Sequence, residues 1–194
     1  MYKLRHFIEN TSQIKHHPKH ILHDSIKQKL QNGDIILRFG YGFVSDKIVN
    51  HLDEKYQISH CGIIKKIEGK LQVIHSDSSQ DKAKDGTLII DFNTFTNESH
   101  PKSIIIVRLK NTDSITLDKI VNLAEKYAQK RILFDYTFNT SDDTKLFCTE
   151  LVHQSIWQAS GKNLFLDSLQ ETNLLQFKNL YNTNNFNVIY NEQE

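Results

Sequence analysis

Four residues carry the chemistry that this sequence offers most plainly: the two cysteines, Cys61 and Cys148, and two histidines, His60 and His75. A nucleophilic cysteine needs a base to take its proton and a site that stabilises the thiolate. Cys61 follows His60 directly in Ser59-His60-Cys61-Gly62-Ile63, and Cys148 opens Cys148-Thr149-Glu150-Leu151-Val152 after Phe147. Neither cysteine belongs to a CxxC pair or a spaced quartet, so a zinc ribbon is not indicated, while a disulfide between the two stays open.

The elements around them decide which cysteine is placed to react. Leu151, Val152, Ser155, Ile156 and Ala159 follow Cys148 at helical spacing and stop at Gly161, so Cys148 falls on a loop-to-helix junction. Free N–H groups and the positive end of the helix dipole there favour a thiolate. Glu150 suits the first helical turn and is assigned to capping rather than proton transfer. Residues 58 to 67 and 71 to 76 read as two strands around Glu68-Gly69-Lys70, a hairpin signal. Side chains alternate along a strand, so if His60 faces the catalytic helix, Cys61 faces away. That expectation makes Cys148 the nucleophile and Cys61 a packed thiol. His75 lies on the adjacent strand, within reach of His60 if the register allows.

The rest of the chain reads as follows. A short helix is expected within residues 1 to 17 before Pro18, and a helix over about 20 to 31. A buried strand is expected at 35 to 39 and a helix around Val44, Ile48, Val49 and Leu52. Two further strands are expected at 87 to 91 and 103 to 109, joined by a polar stretch with Pro101. A long helix should run from about 117 to 131, then an irregular loop with aromatic anchors, and a closing strand near Phe186 to Ile189. Strands cluster centrally with helices at both ends, which gives an α+β architecture: an antiparallel sheet packed against helices. A single domain is expected, with an N-terminal helical extension (1–31), a core (32–160) and a C-terminal extension (161–194).

Composition excludes several function classes. A formal charge of +1 from 24 basic and 23 acidic residues gives no global case for nucleic acid as a partner. No stretch approaches the roughly 20 apolar residues of a membrane span, so a soluble protein without a transmembrane segment is expected; compartment and oligomeric state stay open. Gly40-Tyr41-Gly42-Phe43 lacks the lysine of a phosphate loop and reads instead as a rim above the site. His16, His17, His20 and His23 form a local cluster whose spacing permits metal binding, although a solvated face is the plainer reading. No cofactor or metal is expected at the thiol site.

Gly33-Asp34-Ile35-Ile36-Leu37-Arg38, Ser59-His60-Cys61-Gly62-Ile63-Ile64, Val73-Ile74-His75-Ser76 and Phe147-Cys148-Thr149-Glu150-Leu151-Val152 together resemble the circularly permuted NlpC/P60 group, in particular its YiiX/YebB-like members. The resemblance spans residues 30 to 160 and rests on motif order as well as type. It implies a permuted papain-like fold in which the histidine strand precedes the cysteine helix. It also implies Cys148 as nucleophile, His60 as base and His75 as the polar third member. That third position is often Glu in YiiX-like relatives and His in lecithin:retinol-acyltransferase-like ones. Phe134-Asp135-Tyr136 and Asp142-Asp143 resemble the loop that precedes the cysteine, which makes Asp135 and Tyr136, with Tyr41, candidates for substrate binding. The function this implies is a cysteine hydrolase acting on an amide or ester, with a peptide or small molecule as substrate. The alternatives are a lipid-directed acyl hydrolase or transferase and a catalytically silent binding module.

Overall fold

The computed structural model describes residues 19–79, 81–140, 144–164 and 176–194. The expected helix within 1 to 17, with His16 and His17, and the Asp142-Asp143 pair lie outside the described residues. In chain order the elements are α1 (Asp24–Lys27), β1 (Ile35–Arg38), α2 (Phe43–Leu52), β2 (His60–Ile67), β3 (Lys70–Asp77), β4 (Gly86–Asp91), α3 (Phe92–Asn97), β5 (Ile105–Leu109), α4 (Ser114–Gln129), α5 (Cys148–Ser160), a 3-10 turn (Phe177–Asn179) and β6 (Phe186–Asn191).

The strands form one antiparallel sheet in the order β4-β3-β2-β1-β5-β6. Alternation sorts its residues onto two covered faces. Ile35, Leu37, Cys61, Ile63, Ile74, Ile105 and Val107 pack under α4 and α5, against Ile120, Ala124, Leu151, Val152 and Ile156. Ile36, Ile64, Val73 and Ile106 point the other way, toward Phe92, Phe95, Leu22 and Leu30. Both faces of β1 are therefore dry, which is why its four residues are all buried and why its sequence lacks a polar alternation.

The hairpin between β2 and β3 forms as expected. Glu68 and Gly69 both take positive φ, 49° and 79°, the pattern of a two-residue turn whose twist matches the strands. Its register sets Ile63 opposite Ile74 and Ile64 opposite Val73.

Three expectations are corrected. The helix expected over 20 to 31 is the single turn Asp24–Lys27, because the Asp34 carboxylate accepts from Gln31 N–H (2.9 Å) and turns the chain into β1. The long helix starts three residues earlier than its apolar period, at Ser114, where the Asp113 side chain caps Thr116 N–H (2.8 Å). Between β4 and β5 stands α3, which the Asn and Thr content of its sequence conceals because those residues are poor helix formers. Asp91 starts it by accepting from Asn93 N–H (2.8 Å) and Thr94 N–H (3.2 Å), and Phe92 and Phe95, three apart, face the sheet.

Candidate active site

Strand β2 begins at His60, and the pairing that places Arg38 opposite His60 puts both at the same end of the sheet. Continuing the β2–β3 register brings His75 opposite Gly62. Gly62 is required there: a Cβ at this position would sit 2.5 Å from Val73 Cγ1 and 3.1 Å from His75 Cβ. The close approach of the strands lets His60 Nε2 and His75 Nδ1 meet at 2.9 Å, with the two rings edge to face.

Phe95 of α3 forms the floor beneath them. Its ring stacks on His60 (centroids 5.6 Å apart), meets His75 edge-on (5.4 Å) and carries the Arg38 guanidinium over its face at 4.3 Å. Arg38 is buried and donates through Nη1 to the Phe95 carbonyl (3.1 Å) and through Nη2 to Glu98 Oε2 (3.1 Å). The carboxylate of Asp77, two residues beyond His75 and therefore on the same face of β3, completes the group. The polar atoms of His60, His75 and Asp77 all lie within 4.8 Å of one another.

Cys148 arrives from the other face of the sheet. Leu146 N–H bonds the Leu133 carbonyl (3.0 Å), and the Ser76 hydroxyl donates to the Leu146 carbonyl (2.5 Å), so β3 holds the chain two residues before Cys148. Ser76 and His75 point to opposite faces; the same strand thus fixes the loop before Cys148 and the partner of His60. Phe147 is the N-cap of α5, and the Glu150 carboxylate accepts from its N–H (3.4 Å), as expected of a capping residue. Cys148 is the first residue of the helix. Cys61 and His60 both act on its sulfur.

That contact corrects the expectation for Cys61. Alternation holds, because His60 and Cys61 do face opposite ways, but it is Cys61 that lies under α5. His60, as the first residue of the strand, reaches the Cys148 sulfur at the sheet's end. Cys61 is packed, as expected, and it is packed against Cys148.

The electrostatics follow from these contacts. The Cys61 thiol donating to Cys148, and then His60 beside it, hold the Cys148 thiol well below the ordinary cysteine range against the opposing effect of burial. Burial in turn pushes Cys61 up, and so does donation to Cys148, which keeps it a thiol. Burial, then the neighbouring His60, pulls His75 down to about 3, so it is neutral at working pH. Burial works to raise Asp77, yet the neighbouring His60 and Arg38 hold its carboxyl below the usual value. With His60 Nε2 engaged by His75, Nδ1 is the nitrogen left for the sulfur. A proton taken there leaves Nε2–H donating to His75 Nδ1, which fixes the His75 proton on Nε2. That atom is buried and has no hydrogen-bond partner among the described residues.

His60, His75 and Asp77 also offer the donor types of a divalent metal site. Their arrangement does not fit one as it stands. Two nitrogens on a tetrahedral ion at 2.0–2.1 Å lie about 3.3 Å apart, so the 2.9 Å pair shares a proton rather than an ion. The Arg38 guanidinium, whose charge acts on both His75 and Asp77, further opposes a cation there.

The remaining predicted residues are placed as follows. Asp135 is buried and accepts from Thr137 N–H (2.8 Å), Thr137 Oγ1 (2.6 Å) and Asn139 N–H (2.6 Å), which organises its own loop. Tyr136 is exposed and donates to Asp85 Oδ1 (2.6 Å). The Tyr41 ring tilts against His100 at 4.3 Å. His20 pairs with Glu192 (3.0 Å) and His23 accepts from Ser25 N–H (3.2 Å), so these two members of the N-terminal cluster face different partners. Sequence reasoning missed Arg38, Phe95 and Asp77. The period of two was a usable signal for Arg38 and Asp77, which share faces with Ile36 and His75.

This α+β sheet, with a thiol at a helix start and a histidine pair at the sheet's end, has a relative among solved structures. The chain has a YiiX-like fold: it superposes on the crystal structure of the metalloprotein YiiX from Escherichia coli O157:H7 with a TM-score of 0.58 over 69% of this chain and 68% of that one, at 18% identity. No family model matches the chain. No curated protein matches it either.

Proposed function

We propose that the protein is a cysteine hydrolase that cleaves an amide or ester through an acyl-thioester on Cys148. The observation that carries this reading is the line Cys148, His60, His75: a thiol held below its ordinary range, a base beside it, and a neutral histidine 2.9 Å behind the base. Cys148 attacks the carbonyl carbon while His60 Nδ1 holds the thiol proton. His60 then returns that proton to the leaving amine or alcohol, and water admitted to the same base releases the acyl group. The Cys148 N–H, in the first turn of α5, stabilises the oxyanion. A permuted papain-like connectivity belongs to the same reading, because His60 on β2 precedes Cys148 on α5 in the chain. A peptide-type amide is the favoured substrate class, with cell-wall peptides as the narrower choice.

The test is labelling and turnover. Cys148→Ala should abolish reaction with an acyl-thiol-reactive probe and hydrolysis of any hit from a peptide and ester library, while Cys61→Ala leaves labelling largely intact. Both activities should survive a strong chelator. Loss of hydrolysis on chelation, with labelling retained, would instead favour a metal centre on His60, His75 and Asp77.

A further inference from the structure

We propose that Cys61 and Cys148 form a peroxide modification site, in which Cys61 is the resolving thiol that captures oxidised Cys148 as an intramolecular disulfide. This goes beyond the hydrolytic reading and stands on the thiol contact rather than on turnover.

The two thiols are interacting neighbours within one core cluster, where α5 lies over β2. Both are free cysteines. Their surroundings make them unequal. Cys148 retains 9% of its surface in contact with solvent and Cys61 retains none, so an oxidant entering from solvent meets Cys148 first. Cys61 sits inside a strand, paired with Leu37 on β1 and held in place before any oxidation occurs. Ile63 and Ile74, the next apolar residues of β2 and β3 on this face, are aliphatic, so the thiol stands where Cys148 comes down on the sheet.

The step balances with a hydroperoxide as the two-electron oxidant. The Cys148 sulfur attacks one peroxide oxygen and the O–O bond breaks, giving a sulfenic acid and, from hydrogen peroxide, one water. The Cys61 sulfur then attacks the sulfenic sulfur. The S–O bond breaks, a second water leaves with the Cys61 proton, and the S–S bond forms. Two thiols lose two electrons and the peroxide gains them. The disulfide removes the nucleophile reversibly and protects it from sulfinic acid, which ordinary reductants do not restore.

The experiment is peroxide treatment of the full chain, thiol blocking, and mass analysis before and after digestion. The wild type should become about 2 Da lighter, yield a peptide pair joining positions 61 and 148, and return to two thiols with dithiothreitol. Cys61→Ala should gain about 32 Da at Cys148, irreversibly. Cys148→Ser should keep Cys61 as a blockable thiol under the same treatment. If Cys61→Ala does not fold, the wild-type peptide map and Cys148→Ser decide alone. A wild type that gains about 32 Da with Cys61 still blockable, or that forms only disulfides between molecules, overturns the proposal.

Discussion

Strand β1 has a buried charge cluster at each end, and the two are built to different ends. At its start, Asp34 is wholly buried and meets Arg108 in a bidentate pair, Nε to Oδ1 at 2.6 Å and Nη2 to Oδ2 at 2.8 Å. Its second oxygen also receives Gln31 N–H, so the carboxylate is saturated with donors. At its other end, Arg38 shares a pocket with His60, His75, Asp77 and, across the sheet's end, Cys148. Here Arg38 Nε and His75 Nε2 are buried without hydrogen-bond partners among the described residues. A saturated cluster ties β1 to β5 and has no spare valence. The unsaturated one keeps uncommitted polar atoms, at a stability cost that the dry surroundings raise and the close packing of the sheet offsets.

Removing the cation at each end separates the two roles. Arg108→Met leaves the buried Asp34 charge unpaired and should cost about 3–5 kcal/mol of stability in denaturant unfolding, with the alkylation rate of Cys148 unchanged per folded molecule. A loss below about 1 kcal/mol would show that the saturated cluster is not holding β1 and β5 together.

The site end should be the acid-sensitive one. His75 has its folded value pulled from 6.5 to about 3 by burial and by His60, so the unfolded chain binds its proton first as pH falls. Its neutral form therefore contributes stability that is fully present above pH 6.5 and lost on descending toward 3. Between pH 6.5 and about 5 the loss should be about 2 kcal/mol. His153, pulled to about 4 by burial, adds in the same direction. His75→Gln should flatten the dependence by the His75 share; an unchanged slope would mean that His75 does not stay neutral in the fold.

Arg38→Met is the mildest of the three. The Glu98 partner is half exposed and can return to water, so stability should fall less than at Arg108. The cation also favours negative charge on Cys148, and its removal should slow alkylation near neutral pH by up to about tenfold, or 1.4 kcal/mol. An alkylation rate that does not move would reduce Arg38 to a packing residue.

How much of this was legible beforehand divides along local and non-local lines. The β2–β3 hairpin, the Cys148 helix with its Gly161 stop, and the covered antiparallel sheet follow from turn chemistry and apolar period, which act over a few residues. Helix α3 was hidden because its propensity is poor and its reason to form, two phenylalanines against the sheet, is tertiary. The residues Cys148, His60 and His75 were nameable from motif order, but their contacts depend on register and on the shortened approach at Gly62. Cys61 shows the limit most clearly. Alternation set it opposite His60 correctly, whereas which of the two faces α5 covers is a property of the whole sheet. Gly33-Asp34, read as part of a motif, turns out to supply the saturated pair with Arg108, far along the chain.

Whether Cys148 owes its reactivity to His60 is read most directly from the rate of Cys148 alkylation by iodoacetamide across pH, in Cys61→Ser and in the same background with His60→Gln. The parent should titrate below the ordinary thiol value of about 8.5, and loss of His60 should move the midpoint upward and slow the reaction at neutral pH. Identical profiles in the two proteins, or a parent midpoint at or above the ordinary value, would contradict it.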